Sequence, residues 1–219
     1  MPSWIIDLAH AEQLLADAGT AQLGIDDWNS FLVGSILPDI PVGFMVPNPR
    51  KHIRYIYTHC ADPVPIPVPR EQEFFEAHLA CGSASSLERG IWAHIACDAL
   101  YNQATIDFLD RQKIAAGEPA RIGKQGDFML FGKSLATGKG PIGSDEVMAE
   151  LDRFADWRPD KDDVRTGIAV AQSFINTHPQ PVNPADYQLL DEEFFTATWE
   201  KTHRYLLEKL KMTSKTNVV

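Results

Sequence analysis

The stretch Ser85-Ser86-Leu87-Glu88-Arg89-Gly90-Ile91-Trp92-Ala93-His94-Ile95-Ala96-Cys97-Asp98-Ala99-Leu100-Tyr101-Asn102 decides the fold class. It opens on Ser85-x-x-Glu88, a capping box in which a serine side chain and a glutamate three residues on satisfy each other's free backbone N–H groups. The pattern then continues as a helix to about Ala116, with Gly117 as its stop. On such a helix His94 and Asp98 are four residues apart on one face, and Asn102 follows one turn later. Ile91, Ile95, Leu100 and Tyr101 surround them, so the polar pair lies in apolar company. Two readings fit that placement: an intrahelical His–Asp hydrogen bond, or a pair of ligands to zinc, for which imidazole nitrogen and carboxylate oxygen are ordinary partners.

Helical signals extend in both directions. Trp4 to Ala18 has a helix period, with Ser3 as N-cap and Gly19 as stop. Trp28 to Leu37 is a short apolar helix, capped by Asp26 or Asp27 and ended by Pro38. Asp62-Pro-Val-Pro-Ile-Pro-Val-Pro69 is an extended loop, because alternate prolines donate no backbone hydrogen bonds. A further reading makes it a partner-binding segment, whereas such loops commonly just cross a surface. Helix resumes from Glu71 to Leu79. Seven of the fourteen glycines fall between 117 and 144, which predicts an irregular rim there. Further helices are expected from Ser144 to Ala155, from the cap Asp160 to Thr177, and from Pro184 to Met212, with a frayed tail after Lys211. The expectation is an all-α domain of about seven helices covering 1–219, without strands or internal repeats.

Composition narrows the function classes. The net charge of −10 repels phosphate backbones and anionic membranes, which disfavours nucleic acid as a partner. No apolar run reaches the ~18 residues of a membrane span, and the first ten residues lack the basic start of a signal peptide. Three cysteines without a Cys-x-x-Cys pair suit reduced thiols. Together these predict a cytoplasmic protein. Gly126 to Ser134 resembles a phosphate-binding loop, but its glycine spacing is one residue too long and no strand precedes it.

Other polar residues interrupt apolar segments. Asp39 follows Phe31-Leu-Val-Gly34-Ser-Ile-Leu-Pro38, and on its own suits a turn aspartate. His10, on the first helix, suits a satisfied core or surface histidine. In order, His10, Gly34-x-x-x-Pro38-Asp39, Tyr57-Thr58-His59 and His94-x-x-x-Asp98 resemble the zinc-dependent phospholipase C family, whose fold is shared with single-strand-specific nucleases. The resemblance covers residues 1 to about 110.

It implies a phospholipase C-like helical fold and one or two zinc ions held by His10, Asp39, His59, His94 and Asp98. Asp39 would also bridge the ions and orient or deprotonate the attacking water. The implied activity is hydrolysis of a small-molecule or lipid phosphoester. His52 competes for the role of His59. The larger family members use an N-terminal tryptophan and further His and Glu ligands; here Trp4 lies behind Met-Pro-Ser, and position 102 is asparagine. His178, Glu200 and His203 are the remaining candidates for those places. The rival expectation is a non-catalytic helical protein with a structural or vestigial metal site.

Overall fold

The computed structural model describes residues 3–154 and 156–215. It is helical throughout, and the described residues form nine α-helices and no strand.

Helix α1, Trp4–Leu23, runs beyond the expected stop. Gly19 takes a positive φ of 69° and kinks the helix, but the chain resumes the turn until Gly24, in the left-handed region, closes it. Asp27 caps α2, Trp28–Gly34, by accepting from the N–H groups of Asn29 and Ser30. That helix ends before the expected Leu37, because Pro38 starts a separate 3₁₀ turn, Leu37–Asp39. Helix α3, Tyr55–Thr58, precedes the proline loop, and α4, Glu71–Phe74, widens into a π-turn over Phe75–Leu79.

Helix α5, Ser86–Gln112, is the central element, and its capping box forms as the sequence predicts. It ends at Lys113, which adopts the left-handed conformation (φ 56°), and not at Gly117. The glycine-rich region departs from expectation in its first part, while 135–144 is irregular as expected. Gly117 precedes helix α6, Glu118–Lys133, where a rim was predicted. Packing overrides the poor helix propensity of glycine here. A Cβ on Gly132 would lie 2.2 Å from Ile5 Cγ2, so the missing side chain lets α6 press against α1.

Helix α7, Asp145–Arg153, begins where expected, with Ser144 as its cap, and α8, Lys161–Ser173, begins at the predicted cap Asp160. The expected end of α7 at Ala155 lies outside the described residues. The last helix, α9, Glu192–Lys215, starts later than Pro184 suggested, since Pro184–Asp186 is a separate 3₁₀ turn. Asp191 begins α9 by accepting from Phe194 N at 2.7 Å.

Helix α2 lies across α5, and α9 packs on both α1 and α5. Their shared core contains Trp4, Leu8, Phe31, Ile91, Trp92 and Leu206. A second, aromatic core joins Tyr101, Phe108, Phe128, Phe194 and Phe195. Among the described residues no helix is long and apolar enough to cross a membrane.

Buried Asp127 anchors the loop before α9. Its carboxylate accepts from the backbone N–H groups of Gln188, Leu189 and Leu190, each at 2.8 Å. Asp127→Ala leaves those donors without their acceptor and is expected to cost roughly 3 kcal/mol. A urea-unfolding midpoint equal to the wild type's would refute that role.

Candidate metal centre

Five polar side chains from four segments meet beneath the α2–α5 crossing: Asp7 on α1, Asp39 on the 3₁₀ turn, His59 at the end of α3, and His94 and Asp98 on α5. All five are buried. Asp39, His59 and His94 each offer a ligand atom within 4.8 Å of the others, and this triad could hold a metal ion.

Local structure fixes each ring. His94 Nδ1 lies 2.9 Å from the carbonyl of Ser35, which can only accept, so Nδ1 carries a proton and Nε2 faces inward. That carbonyl is brought there by Gly34 and Gly90, which let α2 and α5 approach closely. His59 Nδ1 is 2.7 Å from Thr58 Oγ1, and that hydroxyl donates to Tyr55 O, which aims His59 Nε2 inward as well. Hydrogen bonding of the outer nitrogen to a carbonyl or hydroxyl is how metal-binding imidazoles are oriented.

The inward atoms form a triangle. His59 Nε2 and His94 Nε2 are 3.1 Å apart, and Asp39 Oδ1 is 3.5 Å from the first and 3.9 Å from the second. Two ligands at ordinary zinc bond lengths on a tetrahedral ion stand about 3.3 Å apart, so the triangle is the right size. Asp39 Oδ2 is engaged by the Trp4 indole at 3.0 Å, whereas Oδ1 has no hydrogen-bond partner. Asp98 repeats this division: Oδ2 accepts from Tyr55 at 2.7 Å and lies 3.5 Å from His59 Nε2, and Oδ1 has no partner. Both Asp7 oxygens lack a hydrogen bond, one of them 3.4 Å from His94 Nδ1. Buried carboxylate oxygens without donors are costly unless a cation answers them, so the residues present fit a cation.

The electrostatics agree. Burial, reinforced by Asp98 and Asp7, raises the Asp39 pKa to about 7, although His94 opposes it. Burial likewise brings Asp7 to about 6. Burial alone would lower His94, but the carboxylates of Asp7 and Asp39 outweigh it and carry its pKa to about 10. Burial and the neighbouring His94 hold His59 well below 6.5. Without a metal ion, a proton on His94 supplies counter-charge to Asp7 and Asp39.

A pH dependence follows for the metal-free protein. Asp39, raised from 3.8, contributes stability that is lost as pH climbs through about 7. His94, raised from 6.5, contributes stability that is lost towards about 10. The lowered pKa values of His59 and His10 act in the opposite sense only below 6.5. After chelation, the melting temperature is therefore expected to fall between pH 6.5 and about 10. A melting temperature that rises across this interval would contradict the assigned charges.

The structure brings together four of the five candidate ligands proposed from sequence: Asp39, His59, His94 and Asp98. His94 directs its ring nitrogens to Ser35 and His59 and not to Asp98, so the intrahelical alternative does not form. His10 stands outside the triad. Its ring stacks on Trp199 at 3.8 Å and its Nε2 lies 3.2 Å from Tyr101 Oη. It shares a cavity of about 10 Å³ with Asp7, His94 and Cys97, backed by Leu206 of α9. His52, His178 and Glu200 are exposed, and His203 pairs with Asp17 at 2.8 Å.

The group that α1 sends towards His94 is Asp7, which the sequence reading did not propose. Its signal was available: Asp7 is the lone carboxylate in the apolar run from Trp4 to Ala11. Tyr55 had no comparable signal, because its role depends on how α3 stacks its ring on His59, at 3.8 Å.

Fold and site together define an all-helical protein with a buried candidate metal centre of two histidines and a carboxylate. No protein-family model, curated protein or solved structure matches the chain.

Proposed function

We propose that the protein is a zinc-dependent hydrolase of small phosphoesters, soluble or lipid, akin to the zinc-dependent phospholipases C. The observation that carries this reading is the triangle of Asp39 Oδ1, His59 Nε2 and His94 Nε2, with both outer imidazole nitrogens already engaged. Two histidines and one carboxylate are a ligand set of catalytic zinc sites, which keep a fourth position for water or substrate. Zinc, when bound, supplies a Lewis acid for a phosphoryl oxygen and lowers the pKa of water towards ~7.

The protein's residues do the rest. Asp39, His59 and His94 hold the ion, and Ser35 and Thr58 keep the two rings in register. The Asp39 carboxylate orients the attacking water and takes its proton. The water oxygen forms the new bond to phosphorus while the ester P–O bond breaks. The departing oxygen leaves with the bonding pair and is protonated by solvent.

The test is elemental analysis of the purified protein, followed by assay with 4-nitrophenyl phosphate and bis(4-nitrophenyl) phosphate. One or two equivalents of zinc with zinc-dependent release of nitrophenol are expected. Failure to bind zinc, even when it is added back, overturns the proposal. Zinc without hydrolysis of either probe favours a structural ion. One observation supports that second reading: the triad is at most 1% exposed, and Tyr55 lies over it.

A further inference from the structure

Beside the buried centre is a cleft of about 290 Å³, lined among others by Phe44, Tyr55, Pro63, Pro65, Asn102 and Lys124. Tyr55 belongs to both places. Its ring also covers His59, and its hydroxyl donates to Asp98. The cleft is therefore one tyrosine side chain away from the candidate ligands.

The chemistry of the lining is uneven. The proline loop and Phe44 supply an apolar wall, with Phe44 65% and Val64 52% exposed. Exposed apolar groups lining a concavity mark a place for an organic body. Opposite them Lys124, only 5% exposed, directs its ammonium to the neutral amide oxygen of Asn102 at 2.9 Å. No ion pair joins it to a carboxylate among the described residues, although Asp98 is near enough for its charge to favour the ammonium. Arg121, also on the cleft, is already paired with Glu118 through both carboxylate oxygens. Among the described residues that line the cleft, Lys124 is thus the cation without an ion pair, placed to meet an incoming anion. Asn102 also donates to Pro67 O at 2.8 Å, tying the apolar wall to the cation.

The spacing is informative. Asn102, which holds Lys124, follows Asp98 by one turn of α5, about 6 Å along the axis. A small ligand can span that distance. We infer that the cleft is a substrate subsite for an organic phosphoester bearing a second anionic group, with its apolar body on the proline wall and that group on Lys124. The phosphoryl group then faces the metal centre in place of the Tyr55 hydroxyl. This assignment rests on the phosphoesterase reading above and names the substrate class it would take.

The experiment is calorimetric titration of the metal-free protein with 4-carboxyphenyl phosphate and 4-carbamoylphenyl phosphate, which match in shape and differ by one charge. The carboxylate probe is expected to bind roughly tenfold more tightly, as suits one charge-assisted hydrogen bond. In Lys124→Met the preference should vanish while zinc content stays at the wild-type level. Equal affinities in the wild type overturn the assignment without any variant, and so does a preference that survives in Lys124→Met. Zinc content separates this failure from that of the catalytic reading. A charge preference in a protein that takes up no zinc leaves the cleft and removes the phosphoesterase. Zinc uptake without the preference does the reverse.

Discussion

His94→Ala is expected to abolish metal binding while most of the helical content survives. His94 supplies an inward Nε2 to the triad, and its outer nitrogen is anchored on the Ser35 carbonyl. Alanine removes both functions, leaving Asp39 and His59 as an incomplete pair. Changes to outer-shell partners alone weaken metal sites by ~10–100-fold, so loss of a direct ligand should exceed the top of that range. The same change removes the protonated imidazole that offsets Asp7 and Asp39 in the metal-free state. The variant should therefore lose stability even without metal. Competition against a chromophoric chelator measures the affinity, and circular dichroism checks the fold. Wild-type affinity in a folded His94→Ala protein would remove His94 from the site.

Gly90→Ala is expected to produce the largest loss of stability. A Cβ there would lie 2.1 Å from the Phe31 carbonyl oxygen, and one on Gly34 would lie 2.2 Å from that of Leu87. Both obstacles are backbone atoms of the facing helix, so no side chain can turn aside. Either α2 must withdraw from α5 or the variant does not fold. Overpacking commonly costs ~1–3 kcal/mol, and a clash with rigid backbone belongs at or above the upper end. Withdrawal would carry Ser35 away from His94, so metal affinity should fall along with the unfolding midpoint. Gly126→Ala is the matched control: its Cβ meets nothing within 4 Å on α6, and it should gain up to ~1 kcal/mol from helix propensity. A similar response of the two variants in chemical denaturation would show that the helix crossing is not what Gly90 serves.

These glycines also explain what was legible in the sequence. Gly34-x-x-x-Pro38-Asp39 looked like a motif because one glycine sets the helix contact and the proline then turns the chain to present Asp39. Local signals of that kind survive translation into structure, as do the capping box at Ser85, the caps Asp27 and Asp160, and the helix start at Ser144. Helix α6 was hidden because its glycines lower local propensity, and contacts with Leu189 and Ile5 give Gly123 and Gly132 their use. His10 drew notice as a histidine on the first helix, while Asp7, one turn earlier, faces His94. Sequence spacing places both near one another on α1; which one turns towards the centre depends on where α5 and α9 press on that helix.

The order of the ligands along the chain has a consequence for how the centre is filled. Every side chain of the centre is contributed before residue 99, whereas α9, which supplies Leu206 behind His94, is the last of the described helices. At ~5–20 residues per second, a ribosome needs on the order of ten seconds to pass from Asp98 to the end of α9. During that interval the imidazoles and carboxylates exist without their cover, and an ion can reach them directly from solution. Once α9 docks, Leu206 closes one side of His94, and an ion would then have to come from another side, such as the one Tyr55 covers.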